Sequence, residues 1–121
     1  MGTFSVSIRL QGRSEETIEV ASLVDTGATY LVVPGPVLKS LGVEVRETRP
    51  FEIADGREVQ FDVGECRLVL EGRSFPVLAV FGEEGTSALL GSVALETFSL
   101  AVDPVHRRLV PVPGLLMLQG Q

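Results

Sequence analysis

A short acidic turn constrains this chain more than any other stretch. The sequence Leu23-Val24-Asp25-Thr26-Gly27-Ala28-Thr29 places one carboxylate directly after an apolar segment and directly before a hydroxyl, a glycine and small residues. Residues 17–24 alternate apolar and polar side chains, which predicts a half-buried strand. Tyr30-Leu31-Val32-Val33 follows the turn and is again short and β-branched. We therefore expect Asp25 to lie in a sharp turn between two strands.

The remaining segments predict an all-β domain with one or two short helices. Alternation of apolar and polar residues, or a short apolar run, predicts further strands at residues 4–10, 51–61, 67–70, 75–81, 88–91, 99–103 and 108–112. Asp55-Gly56 is typical of a hairpin with a type I′ turn. Pro36 predicts the start of a short helix that ends before Gly42. Ser92 is the candidate N-cap of a second helix that reaches about Phe98.

Residues 18–42 and 75–98 repeat one pattern of strand, small polar turn, strand and short helix, although their residues differ. Only the first of these two halves carries the acid. The apolar cluster Leu115-Leu116-Met117-Leu118 near the end allows three interpretations: a frayed tail, a core strand or a strand at a dimer interface. Exposure of that cluster would favour the dimer.

The composition excludes several classes of function. The 121 residues fit a single domain, residues 1–121, and the net charge is −6 with the basic residues scattered, which disfavours nucleic acids and anionic membranes as partners. Cys66 and His106 are the only residues of their types, so neither a disulfide within the chain nor a structural zinc site is expected. No metal or other cofactor is predicted. The absence of a signal-like N-terminus predicts a cytoplasmic location.

An isolated carboxylate is a poor catalyst for amide hydrolysis, whereas a pair is an effective one. Two carboxylates about 3 Å apart cannot both ionise, so they share a proton, and one acts as a base while the other acts as an acid. The chain has one suitable turn, because Asp62-Val63-Gly64 lacks the hydroxyl and lies within a predicted strand. A catalytic pair would therefore require a second copy of the chain, with both copies of Asp25 at a twofold axis.

The sequence resembles the retroviral-type, or retropepsin-like, aspartic proteases and their single-domain cellular and bacterial relatives. The similarity rests on the 23–29 segment, on the Asp55-Gly56 hairpin and on Ala88-Leu89-Leu90-Gly91 before a helix, and it extends from about Phe4 to Val112. It implies a closed acid-protease barrel that forms a twofold homodimer. It also implies that the 51–61 hairpin is a flap that closes over an extended peptide or protein substrate.

The resemblance implies roles for individual residues. Asp25 would be the catalytic carboxylate, and Thr26 and Gly27 would support the active-site loop. The residues implied to bind substrate are Ala28, Thr29, Ala54, Asp55, Gly56 and Arg57. Leu89, Leu90 and Gly91 would pack beneath the loop. The chain departs from many members at Ser92, where they carry an arginine, and at the charged tip of the flap.

Other interpretations remain open from the sequence. The chain could be a catalytically inactive domain of the same fold that binds extended peptides by strand addition or has a structural role. An Asp-x-Gly turn also occurs in phosphate-binding loops, but that function needs further loops and a much longer chain.

Overall fold

The structure, a computed structural model, describes residues 4–119. The predictions for residues 1–3 and 120–121 lie outside the described residues. The strands are β1 (Phe4–Gln11), β2 (Thr17–Val24), β3 (Leu31–Pro34), β4 (Glu47–Glu52), β5 (Glu58–Leu70), β6 (Arg73–Gly82), β7 (Ala88–Leu90), β8 (Leu100–Asp103) and β9 (Arg108–Pro111). The helices are α1 (Gly35–Ser40) and α2 (Ser92–Thr97). The predicted all-β domain with two short helices is confirmed.

Six strands close into a barrel. The hydrogen-bonded order is β1-β2-β7-β3-β6-β5, and β1 pairs with β5 to complete the ring. Among the described strands, β4 pairs with β5 alone and therefore projects from the barrel as one arm of a hairpin. Two residue stretches that the sequence separates, 58–61 and 67–70, belong to one continuous strand, β5. This strand is long enough to serve both the projecting hairpin and the barrel wall.

The two halves that share a sequence pattern also share a structure. β2, a turn, β3 and α1 form the first half, and β6, a loop, β7 and α2 form the second. β2 runs parallel to β7, β3 runs parallel to β6, and β3 and β7 meet antiparallel between them. An internal twofold rotation therefore relates the halves, and each contributes its second strand to the other. This arrangement brings β7 against the end of β2, where Asp25 follows.

The inward-facing side chains of the barrel form one core. Ile8 and Leu10 of β1, Leu31 of β3 and Leu68 of β5 are almost completely buried. Phe98, just after α2, is the largest of the fully buried side chains. Burial of such side chains stabilises the fold by roughly 1.5–3 kcal/mol each. Cys66 is buried within the same core, as a small apolar residue would be.

The turn chemistry differs from the prediction at the 51–61 hairpin. The prediction of a type I′ turn at Asp55-Gly56 is wrong, because Gly56 has a φ of 87° but Asp55 has no positive φ. Gly56 N–H instead donates to Ile53 O, so Ala54 and Asp55 are the central residues of the turn and Gly56 takes the left-handed position after it. Positive φ at both central residues occurs at Glu71 (54°) and Gly72 (73°), which join β5 to β6.

Both helices begin without a side-chain cap. α1 contains Pro36 in its first turn and is followed by Gly42 at a φ of 74°, in agreement with the predicted asymmetry. The prediction of Ser92 as N-cap is wrong: Gly91 is the N-cap of α2, and Ser92 is already helical. Backbone carbonyls of another loop accept the free N–H groups of α2, so the helix does not need the serine hydroxyl.

The chain ends with a hairpin and an exposed tail. β8 and β9 pair as a hairpin, in which Asp103 ends β8 and His106 lies in the connecting turn. The interpretation of Leu115–Leu118 as a core strand is wrong, because these four side chains remain 83%, 78%, 82% and 66% exposed. Within residues 4–119, no helix has the length and apolarity needed to cross a membrane.

Candidate active site

The loop that carries Asp25 begins where β2 ends, and backbone hydrogen bonds fix it from below. We call residues 25–30 the active-site loop. Asp25 N–H donates to Leu90 O at 3.1 Å, which joins the start of the loop to the end of β7. Ser92 N–H donates to Ala28 O at 2.9 Å, and Val93 N–H donates to Thr29 O at 2.8 Å. The first turn of α2 thus satisfies two carbonyls of the loop, and the loop satisfies two of its free N–H groups.

The Asp25 carboxylate is held by its own turn. Ala28 N–H donates to Asp25 O at 3.0 Å, and Gly27 N–H donates to Asp25 Oδ1 at 2.9 Å. Asparagine and aspartate side chains commonly fold back in this way onto the backbone two residues later. A Cβ on Gly27 would lie 3.1 Å from Asp25 Oδ1. Glycine at this position therefore leaves space beside the carboxylate, and Oδ2 has no hydrogen bond to the described residues.

Gly91 permits the close contact between the active-site loop and α2. A Cβ at this position would lie 2.6 Å from Tyr30 O, 2.7 Å from Ala28 O and 2.8 Å from the carbonyl carbon of Thr29. These are backbone atoms, so they cannot move aside as the end of a flexible side chain can. Leu89 and Leu90, just before Gly91, lie respectively in the cleft wall and in the core.

A cleft of about 550 Å³ lies between the active-site loop and the β4–β5 hairpin. We call residues 51–61 of this hairpin the flap. Its inward face contributes Phe51, Ile53 and Phe61, and the barrel contributes further apolar residues. The complete lining is Asp25, Gly27, Ala28, Thr29, Tyr30, Val32, Phe51, Glu52, Ile53, Ala54, Phe61, Val80 and Leu89. The walls of the cleft are mostly apolar, and Asp25 is the carboxylate on the barrel side of its lining. This is the expected form of a binding site for an extended chain.

The tip of the flap is closed by contacts among its own residues. Arg57 N–H donates to Asp55 Oδ1 at 3.0 Å, and the Arg57 guanidinium donates to Asp55 Oδ2 at 2.7 Å. The backbone hydrogen bond from Arg57, followed by the one from its side chain, lowers the pKa of the Asp55 carboxyl. The two charges at the tip therefore neutralise each other.

The residues singled out by sequence do not all meet at the cleft. Ala28, Thr29 and Ala54 line it together with Asp25 and Gly27, whereas Asp55, Gly56 and Arg57 lie beyond it at the tip, and Thr26 is exposed on the loop. The sequence did not indicate the rest of the lining, namely Tyr30, Val32, Phe51, Glu52, Ile53, Phe61 and Val80. The flap residues among these could have been found, because Phe51 and Ile53 share one face of a strand.

Asp62 does not form a second site of this kind. It accepts a hydrogen bond from the Thr48 hydroxyl at 2.7 Å across the β4–β5 pair. Gly64 is explained by packing, since a Cβ there would lie 2.3 Å from Glu44 O. Among residues 4–119, no group of three or more histidine, cysteine, aspartate or glutamate side chains could hold a metal ion. Asp25 and Glu52 are the two carboxylates in the lining of the cleft, and Asp25, on the active-site loop, is the catalytic candidate.

Comparison with known proteins identifies the fold. No family model and no curated protein matches the sequence. Among solved structures, the simian foamy virus (mac) protease superposes with a TM-score of 0.57 at 19% identity, over 78% of this chain and 94% of that one. A retropepsin-like aspartic protease from Rickettsia conorii gives 0.54 at 19% identity, over 84% and 88%. This chain has the retropepsin-like fold.

A third neighbour broadens the comparison beyond viral and bacterial proteins. The retroviral protease-like domain of Ddi1 from Leishmania major superposes with a TM-score of 0.54 at 16% identity, over 88% of this chain and 87% of that one. The expected retropepsin-like barrel is thus confirmed over most of the chain. Identities this low establish a shared fold, and a fold hosts many functions, so the chemistry has to be argued from the residues of the site.

Proposed function

We propose that this protein is an aspartic endopeptidase that hydrolyses extended peptides or proteins as a twofold homodimer. The observation that carries the proposal is the environment of Asp25. Its carboxylate lies in the lining of a cleft, on a loop that β7 and α2 fix from below, and a projecting hairpin forms the opposite wall. A cleft, a fixed acid and a hairpin opposite them are the parts that one chain would contribute to a site for peptide hydrolysis by water.

The proposed site is complete only in the dimer. Each chain supplies one acidic turn, and a base and an acid are both needed for attack of water on a carbonyl. Two copies of Asp25 at the axis would share one proton; the ionised group takes a proton from water while the neutral group donates to the carbonyl oxygen. Gly27 leaves space beside each carboxylate for this approach. Thr26, exposed beside the acid, is proposed to join the two loops across the axis.

The exposed tail supports association of two copies. Leu115–Leu118 present four large apolar side chains to solvent in the single chain, and contiguous exposed apolar surface is typical of interaction sites. We propose that a second copy covers these residues in the active dimer. No metal or other cofactor enters this mechanism. The cytoplasmic location and the absence of nucleic-acid and membrane partners remain predictions from the sequence.

The experiment that tests the function compares two matched variants. The purified protein is incubated with a peptide library between about pH 3 and pH 7, where a shared-proton pair is expected to be active. Asp25→Asn is expected to abolish cleavage. Asp62→Asn changes the other aspartate that stands two residues before a glycine, and is expected to leave cleavage unchanged.

Other outcomes contradict the proposal. A folded dimer that cleaves no peptide in this range, but binds extended peptides equally well with and without Asp25→Asn, would be the inactive peptide-binding domain. Cleavage that survives Asp25→Asn would remove Asp25 from the mechanism.

A further inference from the structure

Three aromatic rings join the active-site loop to the inward face of the flap. Tyr30, the last residue of the loop, meets Phe51 of β4 edge-on, with ring centroids 6.1 Å apart and an interplanar angle of 89°. Phe51 in turn meets Phe61 of β5 at 6.1 Å and 64°. All three rings line the cleft. The contacts thus run from the loop that carries Asp25 to both strands of the flap.

The hydroxyl end of Tyr30 lies near a second residue of the same strand, Arg49. Arg49 lies two positions before Phe51, so both face inward from β4. The Arg49 guanidinium donates to Glu47 Oε1 at 3.0 Å. The pKa of Arg49 is raised, first by this hydrogen bond and to a smaller extent by the nearby Tyr30 hydroxyl. The contact that joins Tyr30 to β4 is therefore the one between its ring and Phe51.

These contacts lie part-way along the hairpin, and the tip extends beyond them. After Phe51, the strand pairing continues only through Glu52 opposite Glu58. The turn begins there, and Ala54 is about 10 Å from Phe51 along the chain at ~3.3 Å per residue. Among the described residues, the hydrogen bonds of residues 52–58 all stay within the hairpin. Contacts nearer the barrel must therefore set the height of the tip above Asp25.

We propose that Tyr30 is a positioning residue that serves as the fulcrum of the flap. Its ring fixes the middle of β4 through Phe51, and the tip beyond Phe51 closes over the cleft about this contact. A peptide in the cleft changes the packing of Tyr30 against Phe51, because both rings line the space that the peptide fills. The role in peptide binding rests on the proposed function, whereas the role in holding the flap belongs to the single chain.

Tyrosine fluorescence tests the part that involves peptide. Tyr30 is the only tyrosine and the chain has no tryptophan, so tyrosine emission reports on this residue alone. Full-length Asp25→Asn protein is titrated with a statine-containing peptide that lacks both residues. We expect a saturable change in emission, and a smaller change when Phe51→Leu is added. Binding that calorimetry detects without any change in emission would overturn the assignment of Tyr30 to the moving contact.

Limited proteolysis tests the part that belongs to the single chain. Arg57 at the tip and Arg107 in the β8–β9 turn are both exposed, so trypsin cleavage at Arg107 provides an internal reference for changes outside the flap. Tyr30→Leu removes the ring contact and is expected to increase cleavage at Arg57 relative to Arg107 by roughly 2- to 10-fold. Tyr30→Phe keeps the ring contact and should give a ratio close to that of the unmodified protein.

The two tests separate the two proposals. If the ratio of cleavage at Arg57 to cleavage at Arg107 is the same in Tyr30→Leu as in the unmodified protein, Tyr30 is not the fulcrum, whatever the protein cleaves. If the ratio rises but no peptide is ever bound or cleaved, the fulcrum stands and the proposed function fails.

Discussion

Substitution of Gly91 by alanine tests the physical basis of the active-site loop. The new Cβ would lie 2.6–2.8 Å from backbone atoms of residues 28–30, where an ordinary contact is about 3.5–4.0 Å. The loop must therefore move away from α2 by about 1 Å. That movement weakens the hydrogen bonds that Ser92 and Val93 donate to it. Overpacking costs about 1–3 kcal/mol and each hydrogen bond contributes about 1 kcal/mol, so we expect a loss of about 2–4 kcal/mol in the free energy of unfolding.

The Gly91→Ala substitution should lower the rate of peptide cleavage more severely than it lowers stability. A displacement of about 1 Å at a catalytic group can cost roughly 100-fold in rate, and Asp25 begins the displaced loop. Urea unfolding gives the stability, and peptide turnover at a temperature where the variant remains folded gives the rate. Gly114→Ala is the matched control, because nothing lies within 4 Å of its Cβ. A Gly91→Ala protein as stable and as active as the unmodified one would refute the reasoning.

The surroundings of Asp103, Cys66 and Leu115–Leu118 lead to three further predictions. Hydrogen bonds, first from His106 and then from Arg108, lower the pKa of the Asp103 carboxyl from its ordinary value of 3.8. A carboxyl whose pKa is lowered by folding stabilises the folded protein at pH values above its ordinary pKa. This stabilisation is lost as the pH falls through the pKa of the folded protein. Asp103→Asn should therefore be less stable than the unmodified protein at about pH 6 and equal to it near about pH 2, by urea unfolding. Burial raises the pKa of the Cys66 thiol to about 12, so iodoacetamide at about pH 8 should modify only unfolded molecules, and rapid alkylation of folded protein would contradict the buried position. Replacement of all four residues of Leu115–Leu118 by serine should weaken dimerisation roughly 100-fold or more without destabilising the monomer. Analytical ultracentrifugation measures the dimerisation constant. A dimer of unchanged affinity would exclude this tail from the interface.

The strands could be predicted because their signals are local. Alternation along residues 4–10 and 17–24 reflects one buried face, and the structure has strands at Phe4–Gln11 and Thr17–Val24. The pairing of the two halves was harder, because parallel pairs such as β2 with β7 join residues that are far apart in sequence. The similar patterns of the halves indicated their relation, although not which strands would be neighbours.

The errors have physical causes. Asp-Gly favours a two-residue turn, but the pairing of Glu52 with Glu58 leaves five residues between the strands, and a turn centred on Ala54 and Asp55 fits that length. Ser92 follows the capping pattern, yet the active-site loop supplies the acceptors that a cap would otherwise provide. Tyr30 had no signal in sequence, because its partners lie on a hairpin about 20 residues away.

The central claim is that Asp25 of one chain works with Asp25 of another. The most direct test is the distance between the two carboxyl groups in a crystal structure of the dimer. We predict a separation of about 3 Å, close enough for one shared proton. Two separate, solvated carboxyl groups in an active dimer, or peptide hydrolysis by a monomer, would contradict the account.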